Sequence, residues 1–199
     1  MLHSSPPTIR HAEPSDAPSL AKLIDIAGEG IPRWLWSQSS ESGQNPLEVG
    51  AARARRTEGG FSFRNALVAD LDGRAAGMVL SYPIETAPED DPDNLPAPIA
   101  PFVELEAHSV GTWYINALAV FAGARGAGVG SSLMQAAEEF AQAAGYRSMS
   151  VQVYSQNAGA LKLYEKLGYR EHARARVREH PCQPYYDEDV VLLLKPISI

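Results

Sequence analysis

The sequence predicts a single α/β domain, and three observations predict it. Residues 113–120 (Trp-Tyr-Ile-Asn-Ala-Leu-Ala-Val) are apolar, short and rich in aromatic and β-branched types, as a buried strand is. They lead into Arg125-Gly126-Ala127-Gly128-Val129-Gly130, after which Val129, Leu133, Ala137, Phe140 and Ala144 recur at helical spacing while Gln135, Glu138, Glu139 and Gln142 fill the other faces. Two further strand-like runs, 61–70 and 74–82, flank Asp72-Gly73, a hairpin signal.

The remaining elements follow in order. Residues 8–11 read as a short strand, and Ser15 or Asp16 caps a helix with the stripe Leu20, Leu23, Ile24 and Ala27. Gly28-Glu29-Gly30-Ile31-Pro32 ends it, and Arg33-Trp34-Leu35-Trp36 falls in a connecting segment that either plugs the core or walls a binding pocket. Asn45-Pro46 opens a helix to about Arg56, with Arg53, Arg55 and Arg56 as a solvated face. Residues 84–101 read as an acidic, proline-rich loop, and from Ala75 to Ala124 there is no Lys or Arg. With Glu104 and Glu106 added, this stretch is either a solvated loop or an acidic rim that attracts a cation. Near the C-terminus Arg170, His172, Arg174, Arg176 and Arg178 alternate with Ala173, Ala175 and Val177, and Asp187 and Asp189 open a partner strand at the same period. Cross-strand charge pairing in a C-terminal hairpin with its tip at 180–184 accounts for both.

Composition bounds the function. A length of 199 residues fits one domain, and a formal charge of −7 argues against a nucleic-acid binder and suits a cationic substrate. Residues 1–7 carry neither a basic nor an apolar signal region, and no apolar run approaches the roughly 20 residues of a membrane span, so a cytoplasmic protein with no membrane partner is expected. Cys182, the one cysteine, allows no intrachain disulfide and reads as a loop residue. His3, His11, His108, His172 and His180 show no ligand spacing, so no metal is expected.

Strand, glycine loop and helix together suit phosphate, because the first amides of a helix have no internal partner and lie at the positive end of its dipole. A P-loop would need Lys and then Ser or Thr after its last glycine, yet Ser131 and Ser132 follow Gly130. A dinucleotide fingerprint would put its third glycine at Ser131, and the strand at 148–155 ends without the acid it requires. The third pattern, Gln/Arg-x-x-Gly-x-Gly/Ala, is met by Arg125, Gly128 and Gly130. With Ile115-Asn116-Ala117-Leu118-Ala119-Val120 before it, the stretch strongly resembles the acyl-CoA pyrophosphate loop of the GNAT N-acetyltransferase superfamily. The segment 155–169, with Asn157 as N-cap, Ala160, Leu161, Tyr164 and Leu167 apolar and Gly168 at its end, resembles that family's next segment. The match covers about residues 114–169.

The resemblance implies a mixed, mostly antiparallel sheet flanked by helices, with a splayed central strand, and acetyl-CoA as cosubstrate. It assigns cosubstrate contacts to Leu118, Val120, Arg125, Gly126, Gly128, Val129, Gly130, Ser131, Asn157 and Tyr164. Among these, a backbone N–H at Val120 would face the thioester carbonyl. Asn157 would reach the pantetheine and Tyr164 the departing sulfur, and their spacing of seven residues, two helical turns, lets both face one ligand. Tyr164 also suits core packing. Homodimers are common in the family.

Acyl transfer to an amine needs a base, since neutralising an alkyl amine of pKa ~10.4 at pH 7 costs about 4.6 kcal/mol. It also needs polarisation of the thioester carbonyl and a donor to the leaving thiolate. Some family members carry a glutamate on the central strand where this chain has Tyr114. Glu104, Glu106, His108 or a relay through Asn116 remain as candidate bases, with Glu106, Asn116 and Tyr164 taken as the catalytic set. The expected reaction is direct transfer of an acetyl group to a primary amine of a small molecule or peptide. The rival readings are an acyl-CoA sensor without turnover and, supported by glycine density alone, a dinucleotide oxidoreductase.

Overall fold

The computed structural model describes residues 7–40, 43–185 and 187–198; residues 1–6, which bear on the signal-region expectation and include His3, and Tyr186 lie outside them. The strands are β1 (Thr8–His11), β2 (Ala66–Leu71), β3 (Arg74–Ile84), β4 (Thr112–Val120), β5 (Ser148–Tyr154), β6 (Arg170–Arg176) and β7 (Asp189–Pro196). The helices are α1 (Ala17–Ala27), α2 (Ile31–Gln38), α3 (Pro46–Ala54), α4 (Ala100–Glu106), α5 (Val129–Ala143) and α6 (Ala158–Lys166). One seven-stranded sheet has the order β1-β2-β3-β4-β5-β7-β6. It is parallel where β4 meets β5 and antiparallel in the pairs β1-β2, β2-β3, β5-β7 and β6-β7. This is the expected α/β fold with its C-terminal hairpin. The chain gathers into two compact units, Met1–Ser81 with Ala117–Ala137 and Tyr82–Asn116 with Glu138–Ile199.

In the first unit, Asp72 (φ 54°) and Gly73 (φ 78°) turn β2 into β3, with both residues left-handed as a two-residue hairpin loop requires. Arg10 on β1 donates to both carboxylate oxygens of Asp16 (2.8 and 3.0 Å) and to Asp70 (3.0 Å), joining the start of α1 to this hairpin. The core gathers Leu20, Leu23 and Ile24 of α1 with Val68, Met78, Leu80, Ala117 and Ala119.

Three local expectations need correction here. Residues 61–65 precede the strand, as a turn and a short 3₁₀ segment. Residues 33–36 belong to helix α2, which Pro32 opens; Trp36 is buried, and a Cβ on Gly50 of α3 would lie 2.6 Å from its ring. The face of α5 turns as the helix proceeds, so Val129, Leu133, Met134, Ala137 and Ala141 are buried while Phe140 and Ala144 are exposed.

Gly77 on β3 marks a close approach. A Cβ there would meet the backbone oxygen of Ala119 at 2.9 Å and Val120 Cγ2 at 3.1 Å. Gly77→Ala is therefore expected to destabilise the protein by about 1–3 kcal/mol, the usual range for overpacking. Thermal denaturation checks this, at roughly 2–4 °C of Tm per kcal/mol.

In the second unit, β5 pairs antiparallel with β7 along its whole length, from Ser148↔Pro196 to Tyr154↔Val190. Its parallel pairing with β4 runs from Trp113↔Met149 to Ile115↔Val151, while both strands continue beyond. This is the splayed central strand. The proline-rich stretch includes a 3₁₀ turn at Pro92–Asn94, and α4 begins at Ala100, so Glu104 and Glu106 lie on a helix. Arg178 donates to Pro92 O (3.3 Å) and Asp93 (2.8 Å), tying this stretch down. In the hairpin, Arg174 and Arg176 pair with Asp189 (3.0 and 3.7 Å), as the charge alternation predicts. A bulge between Glu171 and Ala173 interrupts that alternation, so Arg170 faces the same side as Ala173 and Ala175.

Candidate active site

The glycine loop lies in the first unit. Gly126 and Gly128 sit at φ 79° and 80°, which side chains rarely adopt, and nothing lies within 4 Å of a Cβ at either. Residues 125–128 are exposed, and Val129 and Leu133 are buried beneath them. The ladder of α5 opens with Ser132 N–H donating to Gly128 O (3.0 Å), so the amides of Val129, Gly130 and Ser131 precede it at the positive end of a 15-residue helix. Arg125 donates from Nε to Val120 O (3.0 Å), which holds a cation at the loop's entrance. Exposed amides, two left-handed glycines and a fixed arginine form a donor set that fits a pyrophosphate. Leu118 and Val120 share one face of β4, opposite the buried Ala117 and Ala119. Glu29, in the turn between α1 and α2 at φ 52°, has its carboxyl pushed up by burial and pulled back by Arg125.

The second unit holds Asn157, Tyr164, Glu106 and Asn116. Asn157 caps α6, accepting from Ala160 N–H (3.1 Å), as its position predicts. Two turns on, Tyr164 is 5 % exposed and its ring meets Tyr169 edge-on at 5.8 Å. Burial holds its phenol well above the ordinary value, so it stays protonated over the physiological range.

Glu106, Asn116 and two tyrosines absent from the expected set, Tyr82 and Tyr114, form one polar group in the same unit. Tyr82 and Tyr114 pack edge to face at 5.9 Å. Both phenols are raised, first by burial and then by neighbouring charge, including Glu106, while the Asn116 side chain opposes the rise at each. The Glu106 carboxyl is itself pushed up by burial. Tyr114 also feels Tyr164. Tyr114 is thus the residue common to them: Glu106 and Tyr164 act on it through charge, and Asn116 through a side-chain hydrogen bond. Thr112, Tyr114 and Asn116 alternate along one face of β4, a pattern present in the sequence, whereas Tyr82 joins them from the end of β3.

The other candidates are more exposed. Glu104 is exposed, and His108 is exposed with its ring 6.4 Å from that of His172. The half-buried Cys182 thiol is pushed up by burial, which disfavours the thiolate. Among the described residues no helix is long and apolar enough to cross a membrane.

Comparison with known proteins relates the chain to a family. No curated protein matches the chain significantly. Among solved structures, an acetyltransferase shares 20 % identity over 96 % of this chain and 100 % of its own, with a TM-score of 0.66. A ribosomal-protein-alanine N-acetyltransferase from Brucella melitensis shares 18 % over 96 % and 99 %, with a TM-score of 0.62. A Salmonella typhimurium protein described as an acetyltransferase and solved with its cofactor acetyl-CoA shares 16 % over 98 % and 95 %, with a TM-score of 0.63. At these identities the likeness is one of fold. The model of the acetyltransferase (GNAT) family matches residues 30–169, which span the glycine loop, Asn157 and Tyr164. The chain belongs to the GNAT acetyltransferase family, whose cosubstrate is acetyl-CoA.

Proposed function

We propose that this protein is an N-acetyltransferase that moves the acetyl group of acetyl-CoA directly to a primary amine of a small molecule or peptide. The observation that carries the reading is the polar group in the second unit: a half-buried carboxyl, Glu106, whose charge acts on the packed phenols of Tyr82 and Tyr114, with the Asn116 side chain hydrogen-bonded to both. Acetyl-CoA supplies an activated thioester. The guanidinium of Arg125 and the amides of Gly126, Gly128, Val129, Gly130 and Ser131 hold its pyrophosphate, and Asn157 orients its pantetheine. The Val120 N–H polarises the acetyl carbonyl, with Leu118 lining the same face of β4. Glu106 takes the ammonium proton, directly or along Tyr82, Tyr114 and Asn116, and Tyr164 donates to the sulfur. Burial raises Glu106 towards the range in which a base works at neutral pH.

The test is release of free CoA thiol from acetyl-CoA with a panel of amines and peptides. Turnover with an amine, absent without it, is the expected result. Tight acetyl-CoA binding with no thiol release from any amine would instead favour the sensor reading, to which Tyr114 in place of a strand glutamate lends its weight.

A further inference from the structure

Resting on the acetyltransferase reading, we propose that Gln152 on β5 is the residue that recognises the acceptor, and that the acceptor carries an amide beside its amine. The chemical class is a peptide amino terminus or an amino-acid amide. The observation is a pair of orphans: both Oε1 and Nε2 of Gln152 are shut off from solvent and neither has a hydrogen-bond partner among the described residues. Ser109 Oγ and Trp113 Nε1 are orphaned too, but each residue loses only one group.

Register locates the side chain. Tyr114 pairs with Ser150 and Ile115 with Val151, where the β4-β5 pairing ends. One pleat further on the same face, Asn116 and Gln152 therefore flank the divergence of the two strands. The neighbours of Gln152 on that face of β5 are both satisfied. Ser150 shares a 2.6 Å hydrogen bond with Thr112, and Tyr154 donates to Gln183 (3.2 Å). Helix α4 runs over this strip: Phe102 meets the Tyr154 ring at 5.4 Å, and Glu106, one turn on, acts on Tyr114 beside Ser150. Gln152 lies midway, between an aromatic contact and the candidate base.

A glutamine amide offers both a carbonyl oxygen and N–H donors. A polyamine carries donors only and would leave Nε2 unsatisfied. A peptide unit supplies an N–H for Oε1 and a C=O for Nε2, and it does so beside the carboxyl that takes the proton of the adjoining amine.

The experiment compares wild type with Gln152→Leu, using tetra-alanine amide and spermidine as acceptors in the thiol-release assay and tetra-alanine amide in calorimetric titration of the CoA-loaded protein. The expected result is a rise in KM for the peptide of at least tenfold, kcat within about twofold, unchanged kcat/KM for spermidine and a Tm that does not fall. Gln152→Asn should recover part of the peptide affinity. Equal losses on both acceptors, or no change on either, would overturn the proposal and leave Gln152 as the holder of a water. If no amine releases thiol, the transferase reading fails separately, and the titration still decides: peptide binding that Gln152→Leu weakens supports recognition, and no binding by wild type overturns it.

Discussion

Tyr164→Phe is expected to lower kcat by ten- to a hundredfold while leaving the Kd for acetyl-CoA unchanged. Phenylalanine keeps the ring that is 5 % exposed and packed on Tyr169, so Tm should stay near that of the wild type. What is removed is the hydroxyl that the proposed mechanism assigns to the leaving sulfur. The size of the effect is bounded by acidity. Burial raises the phenol above its ordinary value near 10, whereas a thiol sits near 8.5, so complete transfer of the proton is uphill by at least about 2 kcal/mol. In the proposed mechanism Tyr164 therefore acts by hydrogen-bonding the sulfur as charge builds, with the proton following from water. That predicts a loss in kcat and kcat/KM together, the signature of an interaction made in the transition state. An unchanged kcat with any accepted amine would reduce Tyr164 to a packing residue.

Glu106→Gln should cost more, about a hundred- to a thousandfold in kcat/KM at neutral pH, in the usual range for a positioned base. The pH profile is the sharper readout. The wild-type rate should rise through an apparent pKa displaced upward from 4.5 by burial, and the variant should lack that limb. Stability should move the other way. A carboxyl whose folded pKa is raised binds its proton more tightly when folded, so its contribution is greatest below the unfolded value and is lost as pH rises through the folded one. The neutral amide of Glu106→Gln has no charge to desolvate, so the variant should gain stability relative to wild type at pH 7 and lose that gain near pH 4. Chemical denaturation at the two pH values checks the sign. An inactive variant that is also less stable at pH 7 would point to a structural role.

The elements that carry local chemistry were legible in the sequence. Asp72-Gly73 needs left-handed backbone at both positions, and Asn45 and Asn157 each present an oxygen to a helix start, so turn and caps follow from residue type. The glycine loop was legible for the same reason. Prolines conceal two helices because they open a helix here instead of breaking one: Pro32 lies in the first turn of α2 and Pro101 in that of α4. The candidate site was only partly legible. Glu106 and Asn116 are named from residue type and position and Tyr164 from the family resemblance, whereas Tyr82 meets Tyr114 only through the folding of the sheet. The orphaned amide of Gln152 was out of reach, because burial without a partner is a property of what the rest of the fold fails to supply.

The cap on α6 also bears on how such a protein can change over generations. The oxygen of Asn157 holds the helix whose second turn presents Tyr164, and the proposed role of Asn157 is to orient the cosubstrate. One side chain thus serves two demands that selection cannot adjust separately: a replacement that retunes cosubstrate affinity also frays the first turn and shifts the phenol. Drift is expected at the exposed neighbours 158 and 159 instead. Divergence in acceptor preference would then accumulate on β5 and α4, where a change at one position leaves the cap intact.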